Sequence, residues 1–140
     1  MEVNYMIPKF RAWDEDSKVM RSWKDLILEK DGGDDFWLIG YKENACITSF
    51  DHDQILMQST GLKDKNGVEI YEGDIVKVTN HPFQKKEDSP GIEIDGNYFI
   101  NWSEHSLTWL AGDLLLYQLK PYIEVIGNVF ANPELLEVEG

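Results

Sequence analysis

Leu62-Lys63-Asp64-Lys65-Asn66-Gly67-Val68-Glu69-Ile70-Tyr71-Glu72-Gly73-Asp74-Ile75-Val76-Lys77-Val78-Thr79, residues 62–79, is the stretch that decides the architecture. Two turn signals, Asn66-Gly67 and Glu72-Gly73-Asp74, bracket residues 68–71, and the second opens the β-branched run 75–79. Asn-Gly is the preferred pair for a tight hairpin turn with positive φ at both central positions. Val, Ile and Thr suit a pleated, half-buried surface. Short strands separated by tight turns are therefore expected, and the fold class is mainly β with minor α.

The same grammar extends in both directions. Upstream, residues 7–13 and 18–23 flank Asp14-Glu15-Asp16-Ser17, whose side chains can bond the local backbone, so an N-terminal hairpin is expected. Residues 25–30 are too short to assign by periodicity. Gly32-Gly33 marks a break, and 36–41 and 45–50 are strand candidates. Downstream, Pro82 and Pro90 place residues 80–91 in a surface loop. Asp95-Gly96 signals a hairpin between 92–94 and 98–102, and 103–106 turns the chain into 107–110. Residues 112–119 read as either a short helix or a strand, and 123–130 as a strand. Asn132-Pro133-Glu134 opens a short terminal helix, with Asn132 as cap and Pro133 in the first helical position. Many short strands with frequent turns favour a compact barrel or sandwich-like domain, taken as one domain over residues 1–140.

Composition bounds the function classes. The 140 residues suit one core, and five Trp, six Tyr and six Phe supply material to fill it. Thirteen basic against 26 acidic residues give a formal net charge of −13. Lys63, Lys65, Lys77, Lys85 and Lys86 are interleaved with Asp64, Glu69, Glu72, Asp74, Glu87 and Asp88, which disfavours direct binding to duplex nucleic acid or an anionic membrane. Acidity of this kind keeps a protein soluble, and a basic protein partner is the functional counterpart. Cys46 is alone, with no neighbouring cation to activate it, and fits burial in a reducing cytoplasm. No apolar run reaches the length of a membrane span, and the first five residues lack a signal-peptide pattern, so a cytoplasmic location is expected.

Chemistry-bearing candidates are few. Asp51-His52-Asp53 is the nearest approach to a metal motif, but it lacks a spaced second His or Cys. His81 and His105 lie far away in sequence. Glu72 and Asp74, two apart, would share one face of an extended segment, and with Tyr71 they form a candidate acid–base cluster. The same residues serve equally as turn formers, which is the preferred reading. No phosphate-binding glycine loop, paired Cys-x-x-Cys or serine elbow is present. No catalytic residue and no cofactor is assigned.

Three blocks together resemble the YopX family of phage and prophage proteins. They are Lys9-Phe10-Arg11-Ala12-Trp13-Asp14, residues 56–76 (Leu56-Met57-Gln58 through Asp74-Ile75-Val76), and residues 123–136 (Ile123-Glu124-Val125-Ile126-Gly127-Asn128 through Leu136). The resemblance implies an SH3-like barrel core with extra hairpins and a phage or prophage origin. It implies no reaction, so no catalytic residue is carried over. The motif positions Gly61, Asp64, Asn66, Gly67, Tyr71, Glu72, Gly73 and Asp74 are expected to shape the backbone.

The leading expectation is a non-enzymatic accessory protein that binds another protein and that self-associates as a homo-oligomer through exposed aromatic patches or sheet edges. A nucleic-acid-associated module would require a local basic or aromatic face despite the net charge. A small metal-dependent or carboxylate hydrolase would require Asp51, His52, Asp53 or the Glu72 and Asp74 pair to be gathered in a cleft.

Overall fold

The computed structural model describes residues 8–30, 37–41, 46–49, 54–82 and 94–137. Strands β1 (Phe10–Asp14) and β2 (Val19–Arg21) form the expected N-terminal hairpin, with Asp14 paired to Val19. The Asp14 carboxylate holds the turn by accepting from the backbone N–H groups of Asp16 at 3.0 Å and Ser17 at 3.3 Å. Strands β3 (Leu26–Lys30), β4 (Trp37–Tyr41) and β5 (Cys46–Ser49) form an antiparallel meander. The apolar run at 26–28 is thus a strand, fixed by pairing of Leu26 with Tyr41 rather than by any local preference.

The chain separates into two compact units, Met1–Ser59 and Thr60–Gly140, and the boundary falls inside β6 (Gln54–Lys63). The first part of β6 runs antiparallel to β1, from Asp14 opposite Gln54 to Phe10 opposite Gln58. Strand β7 (Glu69–Tyr71) is the other neighbour of β6. In the first unit Ala12, Leu26 and Tyr41 are buried, with Phe10, Trp23, Leu28 and Leu56 packed against them.

The second unit is built on β8 (Asp74–Val78), β9 (Gly96–Ser103), β10 (Thr108–Ala111) and β11 (Leu114–Leu115), a meander of hydrogen-bonded neighbours. Helix α1 (Leu116–Leu119) and a 3-10 turn (Lys120–Tyr122) then return the chain, so that β12 (Ile123–Asn128) pairs with the outer edge of β8. A meander whose first strand receives the last, after a short helical turn, is the connectivity of an SH3-like barrel. Period-2 alternation sends Val76, Val78, Ile100, Ala111 and Ile123 into one core with Ile70, Leu116 and Leu119. Each fully buried Val, Leu or Ile contributes roughly 1.5–3 kcal/mol, so this cluster outweighs any single turn.

Ile75 faces the other side of the sheet and is also fully buried. A 3-10 turn, Pro133–Leu136, lies over that face, where Asn97 Nδ2 donates to the carbonyl of Leu135 at 2.9 Å. This is the expected terminal helix in tighter form. Asn132 occupies the cap position without making a side-chain cap bond. Its Oδ1 instead accepts from the backbone N–H of Asn128 at 3.3 Å.

Two turns differ from expectation. At Asn66-Gly67 only Gly67 is left-handed (φ 82), and Asp64 N–H donates to the Val68 carbonyl at 2.9 Å across a three-residue loop. A type I turn closed by a left-handed glycine thus replaces the two-residue form. Leu107, expected in a strand, sits in the β9–β10 turn with φ 53 and is exposed. Pairing of Ser103 with Thr108 leaves four residues to reverse the chain, and Leu107 takes the left-handed position. Residues 112–119 divide between the two readings, two strand residues followed by one helical turn. The expected strand at 92–94 is described only at Ile94, which joins the core.

Candidate functional site

Asp64 is the best-connected residue of the central motif. The residue is 6% exposed, and its carboxylate accepts three backbone N–H bonds: Asn66 at 2.8 Å, Val68 at 2.9 Å and Val125 at 2.9 Å. Two of these close the β6–β7 turn, and the third bolts that turn onto β12. Lys65 N–H adds a bond to the Ile123 carbonyl at 3.1 Å. Burial pushes the Asp64 carboxyl up, but the three amides and the neighbouring Lys65 outweigh it and hold the group below its ordinary value.

Asp74 is 2% exposed and accepts from Tyr71 N–H at 2.8 Å. The Gly73 N–H donates to the Ile100 carbonyl at 2.9 Å, and its carbonyl accepts from Val129 N–H at 2.9 Å. The Tyr71 hydroxyl lies 3.4 Å from Glu69 Oε2, and Glu72 is half-buried beside the turn. Of the carboxylate pair named as an acid–base candidate, Asp74 is turned inward onto the backbone of its own turn. Asp51, His52 and Asp53 lie outside the described residues, as does the side chain of Cys46. Among the described residues no three His, Cys, Asp or Glu side chains gather to hold a metal ion.

The C-terminal motif has its own physical account. Asn128 Oδ1 accepts from Phe130 N–H at 3.0 Å and Ala131 N–H at 2.9 Å, while Asn132 returns a bond to the Asn128 backbone. A Cβ placed on Gly127 would lie 2.6 Å from Asn132 Oδ1. The motif is a clasp that ends β12 and turns the chain over Ile75.

A cleft lies elsewhere, in the second unit. It measures about 390 Å³ and is lined mainly by Ile94, Leu114, Leu115, Leu119 and Pro82, with His81, Gln118 and Tyr122 as its polar members. Its size falls in the range of small-ligand or anchor-side-chain pockets. Three features set His81 in place. Asn80 turns the chain out of β8 with φ 58. Asp95 accepts from Asn80 N–H at 3.1 Å and from His81 N–H at 3.3 Å. The imidazole meets the Tyr122 ring edge-on, with centroids 4.9 Å apart. Thr79 N–H donates to the Tyr122 carbonyl at 3.0 Å and fixes the two walls together.

This lining offers shape, an aromatic edge and a few hydrogen-bonding atoms. The Asp95 carboxylate, held by the His81 backbone N–H, is the acidic group described beside this lining. Sequence reading missed the cleft because its walls come from four separated segments. The usable signals were Pro82 beside His81 and the leucine-rich stretch 114–119.

A family model described as YopX protein matches residues 9–137. The structure is similar to the crystal structure of protein EF1440 from Enterococcus faecalis, with 33% sequence identity and a TM-score of 0.61, covering 95% of this chain and 100% of that one. No curated protein matches the chain. No helix among the described residues is long and apolar enough to cross a membrane.

Proposed function

The chain belongs to the YopX protein family, and from that membership we propose a phage- or prophage-encoded, non-enzymatic accessory protein that acts in the host cytoplasm by binding another protein. The observation that carries this reading is the His81–Leu115 cleft of about 390 Å³, apolar on most of its wall and edged by an imidazole and an amide. Such a cleft accepts one apolar or aromatic anchor side chain, and a few buried anchors supply most of the energy of a protein interface. The net charge of −13 favours a partner that is basic around its anchor. Self-association is the second part of the proposal, supported by Trp102, which is 43% exposed and packs edge-on against Trp109 at 5.2 Å.

The test is affinity capture from infected or prophage-induced cells, run in parallel with the wild type and with Leu115→Asp combined with Gln118→Arg. Both positions line the cleft outside the fully buried core. The expected result is a partner retained by the wild type and reduced about tenfold or more by the variant, at equal thermal stability. Recovery of no specific protein at any salt concentration sinks the reading. Sedimentation equilibrium tests the oligomer separately.

A further inference from the structure

A second groove, of about 490 Å³, is lined by Leu62 and Pro121, by Lys63, Lys65 and Lys120, and by Asp64. It gathers three cations in a chain that carries twice as many acidic as basic residues. The arrangement is built, not incidental. Lys63 and Lys65 flank Asp64, so while the Asp64 carboxylate turns inward to three backbone amides, its neighbours are left on the outward side. The bonds from Val125 N–H to Asp64 and from Lys65 N–H to the Ile123 carbonyl dock this turn beside the segment that carries Lys120. Lys65 Nζ makes a long contact, 3.5 Å, with Thr79 Oγ1, and its charge also acts on the Asp64 carboxylate. Among the described residues Lys63 and Lys120 form no ion pair.

We propose that this groove binds a compact phosphate-bearing ligand, held by Lys63, Lys65 and Lys120 as three ammonium donors. The physics selects both the charge and the size of that ligand. At physiological ionic strength fields are screened over about 8 Å, so the potential inside the groove is set by its own lining, three lysines against the one Asp64 carboxylate. Beyond that distance a long polyanion would lie along an acidic surface and be repelled. A di- or triphosphate-sized group collects the attraction without that cost. The site is separate from the His81 cleft, and its test does not depend on any protein partner.

The experiment is a titration of the full chain with inorganic pyrophosphate, followed by amide and lysine chemical shifts in NMR. Saturable shifts are expected at residues 62–65 and at Lys120, weakening as salt rises from about 20 to about 300 mM. The variant Lys63→Gln with Lys65→Gln and Lys120→Gln is expected to lose about tenfold or more in affinity, while Lys77→Gln, at the exposed position of β8, matches the wild type. Should the triple variant fold poorly, Lys120→Gln alone carries the comparison, with about a threefold loss expected. Absence of saturation, or equal loss in Lys77→Gln, overturns the site. A single-stranded decanucleotide binding more tightly than pyrophosphate overturns the compact ligand and makes the groove a track for nucleic acid.

Discussion

The Asp64 carboxylate serves two N–H groups of its own turn and one from β12, so its loss leaves three donors without their acceptor. Asp64→Ala is therefore expected to destabilise the protein by about 2–4 kcal/mol, read by urea unfolding, because buried donors left unmade cost more than the bond itself returns. Asp64→Asn keeps one acceptor oxygen and falls between the two. The pH dependence has a definite sign. The folded carboxyl titrates below its ordinary value of 3.8, so the unfolded chain takes up the proton first as pH falls. The contribution of Asp64 is complete above the unfolded value and is lost as pH drops through the folded one. Thermal melts between about pH 5 and pH 2 should fall less steeply in Asp64→Asn than in the wild type; parallel curves would remove the carboxylate from this role.

Among elements, the end of β12 is the most tightly specified. Gly127 lies where the pairing with β8 slips register, and a Cβ there would meet Asn132 Oδ1 at 2.6 Å and Leu135 Cδ1 at 3.0 Å. Gly127→Ala should cost about 1–3 kcal/mol by overpacking. Asn132→Gly in the same chain removes the closer obstacle, so the double variant should be less destabilised than the sum of the singles, by about 0.5 kcal/mol or more. Strict additivity would mean that the clasp does not touch the strand. This element also shows what a sequence can and cannot disclose. The β-branched run at β8 and the N-terminal hairpin were legible because their signals, alternation and turn chemistry, act over a few residues. The bond from Val125 N–H to Asp64 joins residues 61 apart, and no local pattern encodes it. The same long-range bond helps explain why Asn66-Gly67 takes the wider turn: the loop closes around a carboxylate already engaged with β12. Asn132 looked like a helix cap because its identity and its proline neighbour are those of a cap, yet its side chain found a partner four residues back. The His81 cleft was illegible for a related reason, since residues 81, 94, 114 and 122 meet only once the second unit has folded.

For the whole molecule the governing quantity is charge. A net charge of −13 on 140 residues stores repulsion that unfolding relieves by spreading the chain. Screening should therefore stabilise the folded state. Raising NaCl from about 20 to about 300 mM shortens the screening length severalfold. If this recovers about 1 kcal/mol, the melting temperature rises by roughly 4 °C for a chain of this size. Solute exclusion also raises stability with salt, but it continues to grow with concentration. Relief of self-repulsion levels off once the screening length falls below the spacing between neighbouring carboxylates. A plateau in melting temperature above about 0.3 M NaCl is thus the diagnostic shape, and differential scanning calorimetry at constant pH resolves it. A melting temperature that falls with salt would mean that attractive pairs outweigh the excess of acid. The lysine groove adds a contrast within the same molecule, because salt that strengthens the fold should weaken anion binding at Lys63, Lys65 and Lys120. The two responses have opposite signs only if the excess negative charge is spread over the surface while these cations are concentrated in one place.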